Sequence, residues 1–282
     1  MPKCRLRHLP SSWLPRGRGF TGLFLNEHPH LPVHHPRSEF PGGGEIPERY
    51  ARFWDPFVAL SFVAATTGLE IGTNISLVGE HDPIALAKAV ATLDVLSGGR
   101  LVLGVGFGWH REEFEDHGRP ANVRAKVLEE HVRLMRVLWT EEVGAFEGEY
   151  VRVSPSRSWP KPMQRPHPPV LLGVRASARN FERITSWADG WVPMGTPEFA
   201  GGVFADQVRE LRAGWAEAGR PPEAFHLQVQ LSGRPFFELA ELADQAYELG
   251  AGRVLVRVED LAAEAALNRL DALAEAFAGR FG

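Results

Sequence analysis

The chain has 282 residues, 44% hydrophobic and 23% charged, with a formal net charge of -4. That length suits one large α/β domain or two ordinary ones, with a sizeable core, and 29 glycines and 22 prolines make it loop-rich. A single cysteine, Cys4, excludes an intramolecular disulfide and any cysteine-based zinc site. No apolar run approaches the ~18 residues of a membrane span, and the mild acidity does not point to nucleic acid.

The first 26 residues hold no Asp or Glu but carry Lys3, Arg5, Arg7, Arg16 and Arg18. Without an apolar core they are no secretory signal, so residues 1–19 read as an atypical basic segment. Phe20 to Leu25 is a short apolar strand, and 26–55 a loop rich in His, Pro and Gly. Residues 56–66 read as a helix with Pro56 in its first turn, and Leu69 to Leu77 as a buried strand. Asp82-Pro83 caps the next helix, which Ser97-Gly98-Gly99 ends. Leu101 to Val105 is a strand running into a glycine-rich turn.

Residues 121–139 form an amphipathic helix, with Val127, Leu128, Leu134, Met135 and Leu138 at three- and four-residue spacing. A detour over 141–168 follows, with a hairpin around 145–151 and a proline-rich connector. The alternation then resumes: strand 169–173, helix 177–187, strand 190–193, helix 204–218, strand 225–231, helix 237–249, strand 253–258, helix 260–278. Repeated βα units imply parallel strands covered by helices, and the unbroken apolar runs fit strands buried on both faces. Seven strands precede helices, one short of a closed (β/α)8 barrel. An open doubly wound sheet is the alternative, but its glycine fingerprint after a first strand is absent.

Four segments carry candidate chemistry. Gly104-Val105-Gly106-Phe107-Gly108-Trp109 sits at the carboxyl end of a strand, the active face of a barrel. Its glycines read either as room for a flat or phosphorylated ligand or as a tight turn. Gly72-Thr73-Asn74-Ile75-Ser76 is another strand end, with polar residues interrupting an apolar run. Asn26-Glu27-His28-Pro29-His30 joins a carboxylate to an imidazole, a natural acid/base pair. With His34 and His35 it puts four histidines in eight residues. No ligand spacing supports a metal, so none is assigned; catalytic and solvated loop histidines remain open. Gly173-Val174-Arg175-Ala176-Ser177 joins a strand to a helix, and its N–H groups and arginine read as a phosphate site or as an ordinary junction. Asp189-Gly190-Trp191 reads as structural.

Taken together, these segments resemble the luciferase-like monooxygenase superfamily, and within it the coenzyme F-420-dependent oxidoreductases. The resemblance is carried by Asn26-Glu27-His28, by Leu69 to Ile75 and by Ala91-Thr92-Leu93-Asp94-Val95-Leu96-Ser97-Gly98-Gly99-Arg100. It continues through Gly104 to Glu113, Pro160-Lys161-Pro162, Pro169 to Gly173 and Ala188-Asp189-Gly190-Trp191, and covers roughly residues 20–278. It implies a TIM-type (β/α)8 barrel over 20–282, with the usual first βα unit missing or atypical. It also implies a non-prolyl cis peptide at Asn74-Ile75 against the deazaflavin ring. His28 is then the catalytic group, with Glu27 orienting it or touching the coenzyme. Gly106, Phe107, Gly108 and Trp109 line the coenzyme cleft, and Gly173, Val174 and Arg175 form the phosphate turn.

The implied protein is a soluble, cytoplasmic enzyme that transfers hydride between coenzyme F-420 and a small organic substrate, and homodimers are common among such proteins. Two alternatives stand beside it. One is an FMN-dependent monooxygenase using molecular oxygen. The other is an inactive or truncated coenzyme-binding protein.

Overall fold

The computed structural model describes residues 18–195, 197–258 and 263–278. Most of the basic N-terminal segment and the start of the last predicted helix lie outside these residues. Strand β1 (Gly22–Leu25) leads through a long loop, closed by a 3-10 turn (Glu48–Arg52), to helix α1 (Pro56–Thr66). Asp55 caps α1 by accepting the Val58 N–H at 2.8 Å. The chain continues through β2 (Glu70–Ser76), α2 (Pro83–Ser97) and β3 (Leu101–Val105). Asp82 caps α2 through the N–H groups of Ile84 and Ala85 at 3.1 and 2.8 Å, and Gly98 ends it in the left-handed region at φ 71°.

A short helix α3 (Arg111–Asp116), α4 (Arg124–Thr140) and the antiparallel hairpin β4 (Gly144–Glu147) and β5 (Arg152–Ser156) form the detour. Then come β6 (Val170–Val174), α5 (Ala178–Trp187), β7 (Gly190–Pro193), α6 (Val203–Glu217), β8 (His226–Leu231), α7 (Phe236–Glu248), β9 (Arg253–Val256) and α8 (Ala263–Phe277).

The main sheet has seven strands in the order β1-β2-β3-β6-β7-β8-β9, every pairing parallel. A doubly wound sheet reverses its strand order at a switch point. This order never reverses, so the twist of successive strands curls the sheet into a nearly closed barrel and the doubly wound alternative falls. Among the described residues, β1 and β9 end the sheet, and both are only half-buried along their whole length. By contrast β3, β6 and β7 are buried at every position. Arg253 on β9 holds Glu70 on β2 in a bidentate pair, with both N···O distances 2.5 Å, tying the two sides at the amino end of the barrel.

The Leu-Ser-Gly-Gly-Arg run explains itself as a clamp. The Arg100 guanidinium donates to the carbonyls of Ser97, Leu69 and Ala64, so it caps α1 and joins β2 to the end of α2. Buried Asp94 accepts the Gln164 backbone N–H at 2.9 Å and its side-chain amide at 2.7 Å, anchoring the proline-rich connector. Trp191 is core: its indole N–H donates to the Val174 carbonyl at 2.9 Å.

Two strand glycines are there because neighbouring backbone leaves no room. A methyl at Gly190 would lie 2.0 Å from the His226 carbonyl oxygen, and one at Gly104 2.3 Å from that of Thr73. Gly190→Ala is expected to destabilise the fold by about 3 kcal/mol or more. Gly68→Ala, where a methyl meets nothing within 4 Å, should stay within about 0.5 kcal/mol of the parent. Urea unfolding of the two variants checks this, and equal midpoints would refute the packing account.

Candidate active site

The carboxyl ends of β1, β2, β3 and β6 deliver the predicted residues to one mouth of the barrel. At the end of β1, Glu27 and His28 follow each other in the chain and engage different partners. Glu27 turns toward the end of β2. It accepts the Ser76 hydroxyl at 2.6 Å, the Leu77 N–H at 2.7 Å and His81 Nε2 at 2.8 Å. Burial by itself would raise its pKa. The bonds from His81, Ser76 and Leu77 outweigh that and hold the carboxylate below its ordinary value.

His28 turns the other way. Its Nδ1 lies 2.7 Å from Glu113 Oε2, and both side chains are buried. A carboxylate only accepts, so the bond places a proton on Nδ1 and leaves the Nε2 lone pair available in the neutral ring. The carboxylate that orients His28 is therefore Glu113, not Glu27 as expected from adjacency. Neighbours along an extended chain point apart, whereas a partner 85 positions away can lie opposite.

Glu113 belongs to α3, a helix too short to register as a periodic pattern. His110 makes it, accepting the Glu113 N–H on Nδ1 at 3.1 Å. The signal available in the sequence was the Glu112-Glu113 pair at the end of the glycine-rich motif.

An aromatic cage surrounds His28. Tyr50 and Trp109 meet its ring edge-on, with centroids 5.2 and 5.7 Å away, and Phe53 lies at 6.0 Å. Phe40 closes the cluster against Tyr50 and Trp109. Three of these residues, Phe40, Tyr50 and Phe53, come from the 26–55 loop, for which the sequence offered only its histidines and Glu27 as candidates. The remaining histidines of that loop go elsewhere: His30 pairs with exposed Asp116 at 3.0 Å, and His35 packs edge-on against His110. Among the described residues no group of three or more His, Cys, Asp or Glu side chains is placed to hold a metal ion.

The second half of the site centres on Ile75. The Asn74-Ile75 peptide is cis, as the resemblance implied. Asn74 points across the barrel, accepting the Gln228 amide at 3.0 Å and donating to Gln230. Gly106 and Gly173 make room for Ile75: a methyl on Gly106 would lie 1.9 Å from Ile75 Cδ1, and one on Gly173 2.6 Å from Ile75 Cγ2. These glycines are thus needed first for a side chain of the protein itself, which narrows the ligand-access reading.

Gly108 sits over Leu77 and Glu80 at φ 67°. Phe107 lies between the guanidinium groups of Arg124 and Arg183, at 5.7 and 5.9 Å from its ring centroid. Val174, the last residue of β6, is buried. Arg175 is exposed, and its carbonyl accepts the Asn180 side-chain amide at 2.9 Å. Ser177 caps α5 by accepting the Asn180 N–H at 3.3 Å.

The nearly closed parallel barrel, with the buried His28–Glu113 pair and Asn74-Ile75 at the carboxyl ends of its strands, is the arrangement that the luciferase-like resemblance implied. The luciferase-like monooxygenase family model matches residues 18–249, and the chain belongs to this family. An uncharacterised protein of Mycobacterium tuberculosis is 41% identical over 268 residues, covering 93% of this chain and 90% of its own. An F420-dependent glucose-6-phosphate dehydrogenase of Amycolatopsis mediterranei is 31% identical over 179 residues, 62% of this chain and 49% of its own. An FMNH(2)-dependent dimethylsulfone monooxygenase of Pseudomonas putida is 33% identical over 135 residues, 46% of this chain and 37% of its own. Among solved structures, an F420-dependent secondary alcohol dehydrogenase in complex with an F420-acetone adduct shares the fold. Its TM-score is 0.70 at 14% identity, over 95% of this chain and 93% of that one. No helix among the described residues is long and apolar enough to cross a membrane.

Proposed function

We propose that this protein is an oxidoreductase that transfers hydride between coenzyme F-420 and a small organic substrate, with His28 as the acid/base group. The observation that carries this reading is the buried bond from His28 Nδ1 to Glu113. It leaves Nε2 free at the barrel mouth beside Trp109 and the aromatic cage. The F420-dependent relative supports the choice of coenzyme.

The residues present fit a deazaflavin. Ile75 and the Gly106-Phe107-Gly108-Trp109 turn form an apolar wall for a planar ring. Arg175, exposed and without an ion pair among the described residues, stands at the turn that would take the phosphate. When bound, the coenzyme supplies the hydride chemistry, and the protein supplies placement and a proton. Glu27 acts on the frame: it pins the end of β1, from which His28 departs, to the end of β2. A homodimer is proposed alongside, because α1 and α2 expose Val58, Phe62 and Leu96, apolar surface that a second copy would cover.

Titration with oxidised F-420 and with FMN, followed by quenching of tryptophan fluorescence, tests the coenzyme. The expected result is saturable quenching by F-420 that weakens in Arg175→Ala. FMN binding accompanied by oxygen uptake after reduction would overturn the reading in favour of a monooxygenase.

A further inference from the structure

Behind His28, three ionisable side chains share one unusual property. Each carries at least one buried polar atom with no hydrogen-bond partner. Glu113 commits Oε2 to His28, and its Oε1 is orphaned. Both carboxyl oxygens of Glu80 are orphaned, on a side chain only 1% exposed. His117 Nε2 is orphaned too, 3.9 Å from Glu80 Oε2. The His117 ring is partly exposed and packs edge-on against His30, at a centroid distance of 5.6 Å. Buried polar atoms without partners are costly and rare, and a run of them needs a reason.

Three carboxyl groups converge here. Glu80 lies within electrostatic reach of both Glu113 and Glu27, and three carboxylates so placed do not all ionise. Glu27 and Glu113 each hold hydrogen-bond donors, whereas Glu80 holds none. Burial, then Glu113, then Glu27 push the Glu80 carboxyl up to about 9, so it carries a proton at neutral pH. Around His117 stand His30, His81, Asp116 and Arg119 besides Glu80.

We propose that Glu113, Glu80 and His117 form a proton route connecting Nδ1 of His28 to solvent. This rests on the reading of His28 as the acid/base group. In substrate oxidation the coenzyme, when bound, would accept the hydride, and His28 Nε2 takes the substrate's hydroxyl proton. The Nδ1–H bond then breaks as an O–H bond forms on Glu113. Glu80 gives its own proton to His117, 3.9 Å away, and takes one from Glu113, its electrostatic neighbour, each through one bridging water or a small side-chain rotation. His117 releases its proton to solvent. When product leaves, the route returns a proton to Nδ1, and the imidazolium so formed releases its Nε2 proton to water. One proton has left per turnover, and every group is restored.

Glu80→Gln is the discriminating variant, because it replaces a neutral acid by a neutral amide of the same shape and removes only the transferable proton. The readout is the solvent exchange rate of the His28 Nδ1 proton, followed by NMR on histidine-labelled full-length protein without coenzyme. Exchange is expected to slow about tenfold or more in Glu80→Gln and in His117→Gln, a size in keeping with loss of a positioned proton carrier. A cooperative thermal unfolding transition no lower than the parent's at neutral pH would confirm that the fold is intact. Unchanged exchange in both variants overturns the route. Slowed exchange in a protein whose hydride transfer is insensitive to His28→Ala keeps the route and rejects the acid/base reading, so the two failures are distinct.

Discussion

His28→Ala should slow hydride transfer by about 10²–10⁴-fold while leaving coenzyme affinity within about twofold, the signature of a lost general acid/base group. The physical reason is the position of the ring. Nδ1 is committed to Glu113, so only Nε2 can exchange a proton with substrate. The cage of Tyr50, Phe53 and Trp109 holds the ring plane. Glu113→Gln should act in the same direction without touching the substrate. An amide can donate to Nδ1 and so stabilise the tautomer that blocks Nε2. The pH–rate profile should therefore move in Glu113→Gln, which mere loosening of the fold would not do. Stopped-flow absorbance of the deazaflavin measures both variants. A single-turnover rate unchanged in His28→Ala would end the acid/base assignment.

Glu80→Gln should make the protein more stable than its parent at alkaline pH, by a margin that shrinks to about 1 kcal/mol near pH 5. The folded chain keeps the Glu80 proton up to about 9, because the carboxyl is buried beside Glu113 and Glu27; the unfolded chain releases it near the ordinary 4.5. Between those values the folded state binds more protons. Stability then falls as pH rises, by up to about 1.4 kcal/mol per pH unit for this one group.

Two neighbours shape the rest of the curve. Burial lowers the His81 pKa but its bond to Glu27 outweighs this, so the value is raised above 6.5. The His81 contribution is full below 6.5 and lost as pH climbs through the folded value. Glu27, held below 4.5, contributes above 4.5 and loses that contribution as pH falls through its folded value. Glu80→Gln should flatten the alkaline limb and leave the acid limb alone. Urea unfolding from about pH 5 to about pH 9 reads this directly, and a constant gap between variant and parent across that range would contradict it.

Much of the architecture was legible before any coordinates. Helix α1 spans 56–66, the bounds read from the sequence with Pro56 in its first turn. Strands β3 and β7 match their apolar runs residue for residue. Capping residues and glycines act within a few positions of themselves, so local sequence reports them faithfully. Helix α3 escaped because six residues make less than two turns, and its start depends on a histidine cap that does not belong to the usual set. Leu96 to Arg100, one of the motifs that carry the family resemblance, proved to be a structural clamp. Its specificity reflects the crowded junction of α1, α2 and β2 rather than chemistry.

The sequence by itself determined the βα alternation, the count of seven strands and the family, with the motif residues His28, Asn74-Ile75 and Gly106 to Trp109. All of these follow from periodicity, turn residues and motif wording, which are properties of short segments. The tertiary structure decided who faces whom. It gave His28 to Glu113 rather than Glu27, set Gly106 and Gly173 beneath Ile75, and gathered Glu27, Glu80 and Glu113 into one buried cluster. Those contacts join side chains from different strand ends, dozens of residues apart, and only the curl of the sheet brings those ends to a common mouth.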